Sequence, residues 1–367
     1  MYGVFTSGIV NISNNANITG VDNALFLVEN ASATITGGNL KASKYDGIYT
    51  SGNSKLSISG GTINGSNAAI CHESKNTIEI TGGNLIGINQ HGITVLEKGS
   101  GNIEIKGGDI LGKLHGIYKN SSGDLTINGG LIKGTTAYEG ISLNTNNSGN
   151  LTITNGTIIG NNNGIWTKGK EDIIVSGGTI KGNTYEGIEM YQKASGTLTV
   201  TGGSITGKEN GIRANESSML EINITNGTII GGDYSGVHSA NSSNIKINVN
   251  GGDIQGTCDA IFLENGNNVK LNVLKGKLLC LEYDGIGVYS NATVDIGDSS
   301  KEIDNNNLII SGGNFGMYKS ADYTSTINYY NGTLKGTIAG YAGTMNIRNG
   351  YTENTIKEEN YYVTTLK

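Results

Sequence analysis

One dipeptide, Gly or Ala followed by an aliphatic residue, recurs along most of this chain at intervals of 22 to 25 residues. Its copies are Ala24-Leu25, Gly47-Ile48, Ala69-Ile70, Gly92-Ile93, Gly116-Ile117, Gly140-Ile141, Gly164-Ile165, Gly187-Ile188, Gly211-Ile212, Gly236-Val237, Ala260-Ile261 and Gly285-Ile286. Upstream of each copy lies an alternating segment broken by Gly-Gly or a related pair, as in Leu198-Thr-Val-Thr-Gly-Gly-Ser-Ile-Thr-Gly207 and Leu151-Thr-Ile-Thr-Asn-Gly-Thr-Ile-Ile-Gly160. Self-similarity at such a period marks a solenoid, whose repeats each need a neighbour to bury their apolar face.

Leu198, Val200, Ile205 and Ile212 alternate with Thr, Ser or Arg, a period of two that specifies strands. Gly-Gly and Asn-Gly supply the positive φ of tight corners. Each repeat therefore predicts one rung of three short strands and three turns. Rungs stack about 4.8 Å apart with parallel hydrogen bonding, so about 15 rungs would make a rod of about 70 Å. A lone rung cannot fold. Its five or six aliphatic side chains yield about 1.5–3 kcal/mol each on burial, against about 1–2 kcal/mol of backbone entropy for every ordered residue. Composition agrees. Glycine is 59 of 367 residues and proline, which cannot donate to an inter-rung ladder, is absent. Phe and Trp total five, too few for a thick aromatic core, and no apolar run is long enough to span a membrane.

The expected architecture is all-β, a single-stranded parallel β-helix over 1–350, with an irregular insertion at 289–312 and a cap or linker at 351–367. The distance from the second Gly of each pair to the next Gly/Ala-aliphatic motif alternates, mostly 9 and 8 residues, which points to a unit of two rungs. Gly3-Val4-Phe5-Thr6-Ser7-Gly8 matches Gly47-Ile48-Tyr49-Thr50-Ser51-Gly52, so the chain starts inside a rung. An uncapped solenoid end invites aggregation, and the expectation is a fragment of a longer protein. The net charge is −6 and arginine occurs only at Arg213 and Arg348, which leaves no clustered basic face for nucleic acid. Cys71, Cys258 and Cys280 have neither metal nor redox spacing and read as small, largely buried thiols.

The Gly-Ile strand start and the Ile-x-Gly/Asn-Gly-x-Ile corner resemble the right-handed parallel β-helix repeat of the pectate-lyase-like superfamily, over roughly residues 3–350. Right-handedness follows from that resemblance and from the bias of parallel crossovers. The superfamily includes polysaccharide lyases, galacturonases, phage tailspikes, surface adhesins and non-catalytic polysaccharide-binding proteins. Its enzymes carry long loops on one face and an N-terminal helical cap. This chain has short corners and no helix-like start, and in look is closer to repetitive bacterial surface proteins. The resemblance implies an extracellular or cell-surface location.

The residue after each Gly-Ile points away from the core, because Ile points in. Down the stack that position reads Phe5, Phe26, Tyr49, Cys71, Thr94, Tyr118, Ser142, Trp166, Glu189, Arg213, His238, Phe262, Gly287. An exposed aromatic row is a platform for sugar rings, which makes Tyr49, Tyr118, Trp166, Arg213, His238 and Phe262 the candidate ligand contacts. The alternative is that strand-favouring aromatics simply cover a neighbouring segment. Glu189, Arg213 and His238 fall on successive rungs. They could perform acid–base work on an acidic sugar, with Arg213 holding its carboxylate, or form only a mutual charge ladder. A corner tyrosine recurs every second rung at Tyr45, Tyr138, Tyr185, Tyr234 and Tyr283, a row either meeting alternate sugar units or packing the enlarged corner. Asp295, Asp298, Glu302 and Asp304 are the weak metal candidates, and calcium is the cation they would take, although a solvated loop is the plainer reading. No other cofactor is expected.

Three functions compete. The leading expectation is a non-catalytic stalk or adhesive module that takes polysaccharide or cell-surface glycan along the aromatic row. The second is a polysaccharide lyase or hydrolase using Glu189, Arg213 and His238. The third is a purely structural spacer. Short corners argue against the enzyme, and the aromatic row argues against the bare spacer.

Overall fold

In a computed structural model, residues 1–217, 219–300 and 305–367 are described. Among them there is no helix, and hence none long and apolar enough to cross a membrane. The strands wind into a parallel β-solenoid of about 14 turns. The chain divides into two compact units, Met1–Asn183 and Thr184–Lys367.

In the first unit the predicted columns form with the predicted register. Leu25–Leu27, Ile48–Gly52 and Ile70–Ser74 lie side by side, with Leu25 against Ile48 and Ile48 against Ile70. The same column continues through Ile93, Ile117, Ile141 and Ile165. All of these aliphatics are fully buried. A second wall stacks Ala33 on Leu56 and Ile35 on Ile58, and a third stacks Leu40 on Ile63. Some rungs keep three separate strands, such as Ile78–Ile80, Asn84–Gly87 and Ile93–Val95. In others two strands merge through the paired-glycine corner, as in Lys55–Gly65. The merger works because Gly61 adopts φ +91 and its missing Cβ would lie 2.9 Å from the Gly37 carbonyl of the rung below. The backbone turns there without leaving its inter-rung ladder, at the cost of a local register shift.

The second unit repeats the pattern. Gly196–Gly207, Leu220–Gly231 and Lys246–Gly256 pair in parallel, and Leu198, Val200 and Ile205 are fully buried. Of the segment 289–312, residues up to Ile296 lie in the strand Asp284–Ile296, in register with Asn267–Val273, and Leu308–Ser311 forms a further strand. Beyond residue 350 the chain reverses direction. Glu353–Glu358 and Tyr361–Leu366 form an antiparallel pair, and Tyr361–Leu366 also lies antiparallel to Thr333–Gly336. The fully buried Tyr329 fastens this hairpin by donating its hydroxyl to the carbonyls of Gly332 (2.7 Å) and Thr364 (3.1 Å).

Candidate functional site

In the second unit the outward ladder has the expected order. Glu189 pairs with Arg213, Arg213 with His238, His238 with Phe262, and Phe262 with Gly287. A Cβ at Gly287 would lie 2.9 Å from Asp259 Oδ1 and 3.1 Å from the Phe262 ring, so a side chain there would be crowded. The next outward residue, Tyr289, brings its ring there instead, edge-on to Phe262 at 5.5 Å, and Phe262 in turn lies 5.0 Å from His238.

A second column runs alongside. It consists of the residue just before each Gly/Ala-aliphatic pair: Glu186, Asn210, Ser235, Asp259 and Asp284, all buried. Buried polar groups need partners, and most find them within the column. Asn210 donates to Glu186 Oε1 at 3.3 Å and accepts from the Ser235 amide at 3.1 Å. Asp259 accepts from the Asp284 amide at 3.3 Å. Burial pushes the Glu186 carboxyl up to about 7, with the neighbouring Glu189 adding to the effect. Burial and then the adjacent Asp284 push Asp259 up to about 7, and burial pushes Asp284 up to about 6.

The two columns and the corner tyrosines enclose a groove of about 550 Å³. Phe262 and Tyr289 line it with Tyr234 and Tyr283, which are half exposed at the corners. Arg213, His238, Asp259, Asp284, Glu209 and Glu264 supply the polar lining. Arg213 reaches Glu186 at 3.4 Å, and His238 reaches Glu264 at 3.1 Å, which holds the Glu264 carboxyl below its usual range. Two buried polar atoms, Arg213 Nε and Asp284 Oδ1, have no hydrogen-bond partner among the described residues. Glu189 is buried and does not line the groove, so Arg213 and His238 meet there without it.

In the first unit the ladder aromatics are largely covered by one another. Phe26 stacks on Phe5 at 5.4 Å and on Tyr49 at 4.6 Å, and the Tyr49 hydroxyl donates to Glu73. Tyr118 stacks on His91 at 5.1 Å and accepts from Asn144 at 2.6 Å. Tyr138 packs edge-on against His115 at 5.1 Å, and His115 reaches Glu139 at 2.8 Å. Lys168 lies over the Trp166 ring at 5.1 Å. Among the ladder rings Phe5 is exposed and Phe26, Tyr49, Tyr118 and Trp166 are half-buried, a narrower platform than the expected exposed row.

The profile of the family described as right handed beta helix region matches residues 68–229. This chain has the fold of a parallel β-helix repeat protein. No curated protein and no solved structure matches it.

Other sequence candidates take up structural positions in the β-helix. Asp295 belongs to a ladder of side-chain amides: Asn248 donates to Asn223 (2.7 Å), Asn272 to Asn248 (2.8 Å) and Asn328 to Asp295 (2.7 Å). Asp298 accepts from the amide (2.9 Å) and hydroxyl (2.6 Å) of Ser300. Glu302 and Asp304 lie outside the described residues. Among the described residues no three His, Cys, Asp or Glu side chains converge on one point. Tyr45 and Tyr185 are half exposed, and the three cysteines are free thiols, Cys71 and Cys280 buried.

Glu186 and Asp284 were missed because Asp or Glu before Gly reads as ordinary turn chemistry, and Asp259, which precedes Ala260, because a lone corner carboxylate reads as solvated. The signal was available. Read down the stack, that position is Asn23, Asp46, Ala68, His91, His115, Glu139, Asn163, Glu186, Asn210, Ser235, Asp259 and Asp284, polar in all but one rung.

Proposed function

We propose that the second unit of this β-helix binds a neutral polysaccharide in the groove between the corner tyrosines and the outward ladder. The observation that carries this reading is the coincidence of an aromatic lining, Phe262, Tyr289, Tyr234 and Tyr283, with the polar side chains of Glu209, Arg213, His238 and Glu264 around the same groove. Aromatic rings accept the apolar faces of a sugar, while donors and acceptors at the rim fix its hydroxyls. A uronate is the poorer ligand. Arg213 is engaged by Glu186, and the lining carboxyls of Glu209, Asp259, Glu264 and Asp284 outnumber Arg213 and His238. An adhesive or stalk role at a cell surface is the biological setting proposed for such a module.

A hydrolase is the second reading, favoured by the adjacent Asp259 and Asp284, whose raised proton affinities would let one carboxyl stay protonated as an acid while the other acts as a base near neutral pH. One panel tests both. Retention in native gels containing glucan, galactomannan or xylan, compared with polygalacturonate and alginate, measures binding, and reducing-end release measures cleavage. Retention by a neutral polymer is expected, weakened roughly tenfold by Phe262→Ala or Tyr283→Ala and kept by Trp166→Ala. Cleavage lost in Asp259→Asn would establish the hydrolase instead. Retention by the uronate polymers alone, or by none, would reject the binding groove.

A further inference from the structure

The first unit contains a fully buried lysine. Lys119 ends the strand Ile117–Lys119, in a column whose neighbours are Val95 and Leu143, and so takes a position that the repeat normally gives to an inward-facing side chain. Its Nζ reaches the corner of the rung, where it donates to the Ser121 carbonyl at 2.9 Å and to Asn147 Oδ1 at 2.5 Å. Asn147, also buried, comes from the next rung. Its Nδ2 donates to Glu171 Oε2 at 3.0 Å and to the Gly149 carbonyl at 3.1 Å. Glu171 is buried and comes from the rung after that, and its other oxygen accepts from the Thr167 hydroxyl. Gly169 has no side chain where a Cβ would lie 1.9 Å from Glu171 Oε2, so the loop closes directly over the carboxylate.

Three successive rungs thus place an amine against a carboxamide oxygen and a carboxyl against the nitrogen of the same carboxamide. We propose that Lys119 and Asn147 condense into an intramolecular isopeptide bond, with Glu171 carrying the proton. Nζ attacks Cγ of Asn147, the Nζ–Cγ bond forms and the Cγ–Nδ2 bond breaks. Glu171 gives a proton to the departing Nδ2 and takes one back from Nζ, so ammonia leaves and Glu171 is unchanged. No oxidant, reductant or cofactor enters the balance. Burial supplies the reactive forms: it lowers Lys119 to about 8, toward the neutral amine that can attack, and raises Glu171 toward the protonated acid that can donate. A cleft of about 380 Å³ lined by Ser121, Asn147, Ser148 and Lys170 gives ammonia a way out. The bond would covalently join two rungs that are otherwise held by hydrogen bonds and packing.

Intact-mass measurement of the denatured full chain tests this. The expected mass is one ammonia below that of the sequence, and a proteolytic digest should contain one branched peptide joining the Lys119 and Asn147 segments. Lys119→Arg and Asn147→Ala should restore the full mass. Glu171→Gln keeps the shape, exchanges one acceptor oxygen for a donor, and cannot shuttle the proton. It should retain full mass while circular dichroism shows a folded β protein. The wild-type peptide map decides the matter even if the Lys119 or Asn147 variants fail to fold. Full sequence mass in the wild-type chain would overturn the proposal. So would loss of ammonia that persists in Lys119→Arg, the behaviour of a succinimide at Asn147-Ser148. A Glu171→Gln chain cross-linked as fully as the wild type would remove Glu171 from the reaction.

Discussion

Gly207→Ala is expected to cost about 3 kcal/mol or more, the upper range for forcing atoms into a filled site. A Cβ at Gly207 would lie 1.8 Å from the Asn210 carbonyl oxygen and 2.7 Å from the Gly187 amide nitrogen. Those two atoms are hydrogen-bonded to each other at 3.0 Å. The carbonyl cannot swing aside, because Asn210 is also tied by its side chain to Glu186 and to the Ser235 amide. The methyl group would therefore break an inter-rung bond and push adjacent rungs apart. Because each rung is stabilised by its neighbours, the damage spreads beyond one corner. Gly112 and Gly160 occupy the same corner in the first unit, with a Cβ only 1.8 and 1.7 Å from the His115 and Asn163 carbonyls. Gly8 is the control: a Cβ there would make only an ordinary contact, 3.5 Å from the Thr6 hydroxyl, so Gly8→Ala should leave stability within about 1 kcal/mol. Urea midpoints decide between these outcomes. A Gly207→Ala chain that unfolds with the wild type would refute the close-packed corner.

Asp259→Asn is expected to stabilise the protein increasingly as pH rises from about 4 to about 7, by roughly 1–2 kcal/mol at pH 5 and on the order of 4 kcal/mol at pH 8. Asp259 and Asp284 are held at about 7 and about 6 in the folded chain, well above the ordinary aspartate range. Between the unfolded and folded values the folded chain binds protons that the unfolded chain has released. Stability from these groups is therefore present at low pH and lost as pH rises through their folded values, the opposite of a salt-bridged carboxylate. Glu186, at about 7, acts in the same direction. In the first unit burial lowers His72 to about 4 and His91 to about 3, so stability there is lost as pH falls below the ordinary histidine range. The two trends oppose each other in whole-chain melts. The difference between wild type and Asp259→Asn isolates the carboxyl and should widen from about pH 4 to about pH 7 and then level off. A difference that narrows over that interval would mean that Asp259 is ionised and paired in the folded state.

Much of the architecture was legible before any coordinates. The Gly-Ile dipeptide predicts which residues share a column, and pairs such as Glu189 with Arg213 and His238 with Phe262 follow from counting alone. Counting works because a solenoid turns sequence spacing into spatial adjacency with little freedom. Exposure was harder to read. Trp166 and Tyr118 lie on the outward ladder, yet Lys168 covers one and His91 stacks on the other. An outward direction does not say what the next corner folds over. Tyr289 was missed because it stands two residues beyond the ladder position, and only the space left by Gly287 makes its ring matter.

The sequence by itself determined the winding, the register and the identity of the core, because alternation and a near-constant period admit one way of burying Ile48, Ile117, Ile212 and their equivalents. Only the tertiary structure decided the chemistry of the polar columns. Whether Asp259 is a turn residue or a protonated acid, and whether Lys119 is a surface cation or an amine held against Asn147 and Glu171, depends on water being excluded at those corners. Burial is a property of how neighbouring rungs close over a side chain, and no single repeat carries it.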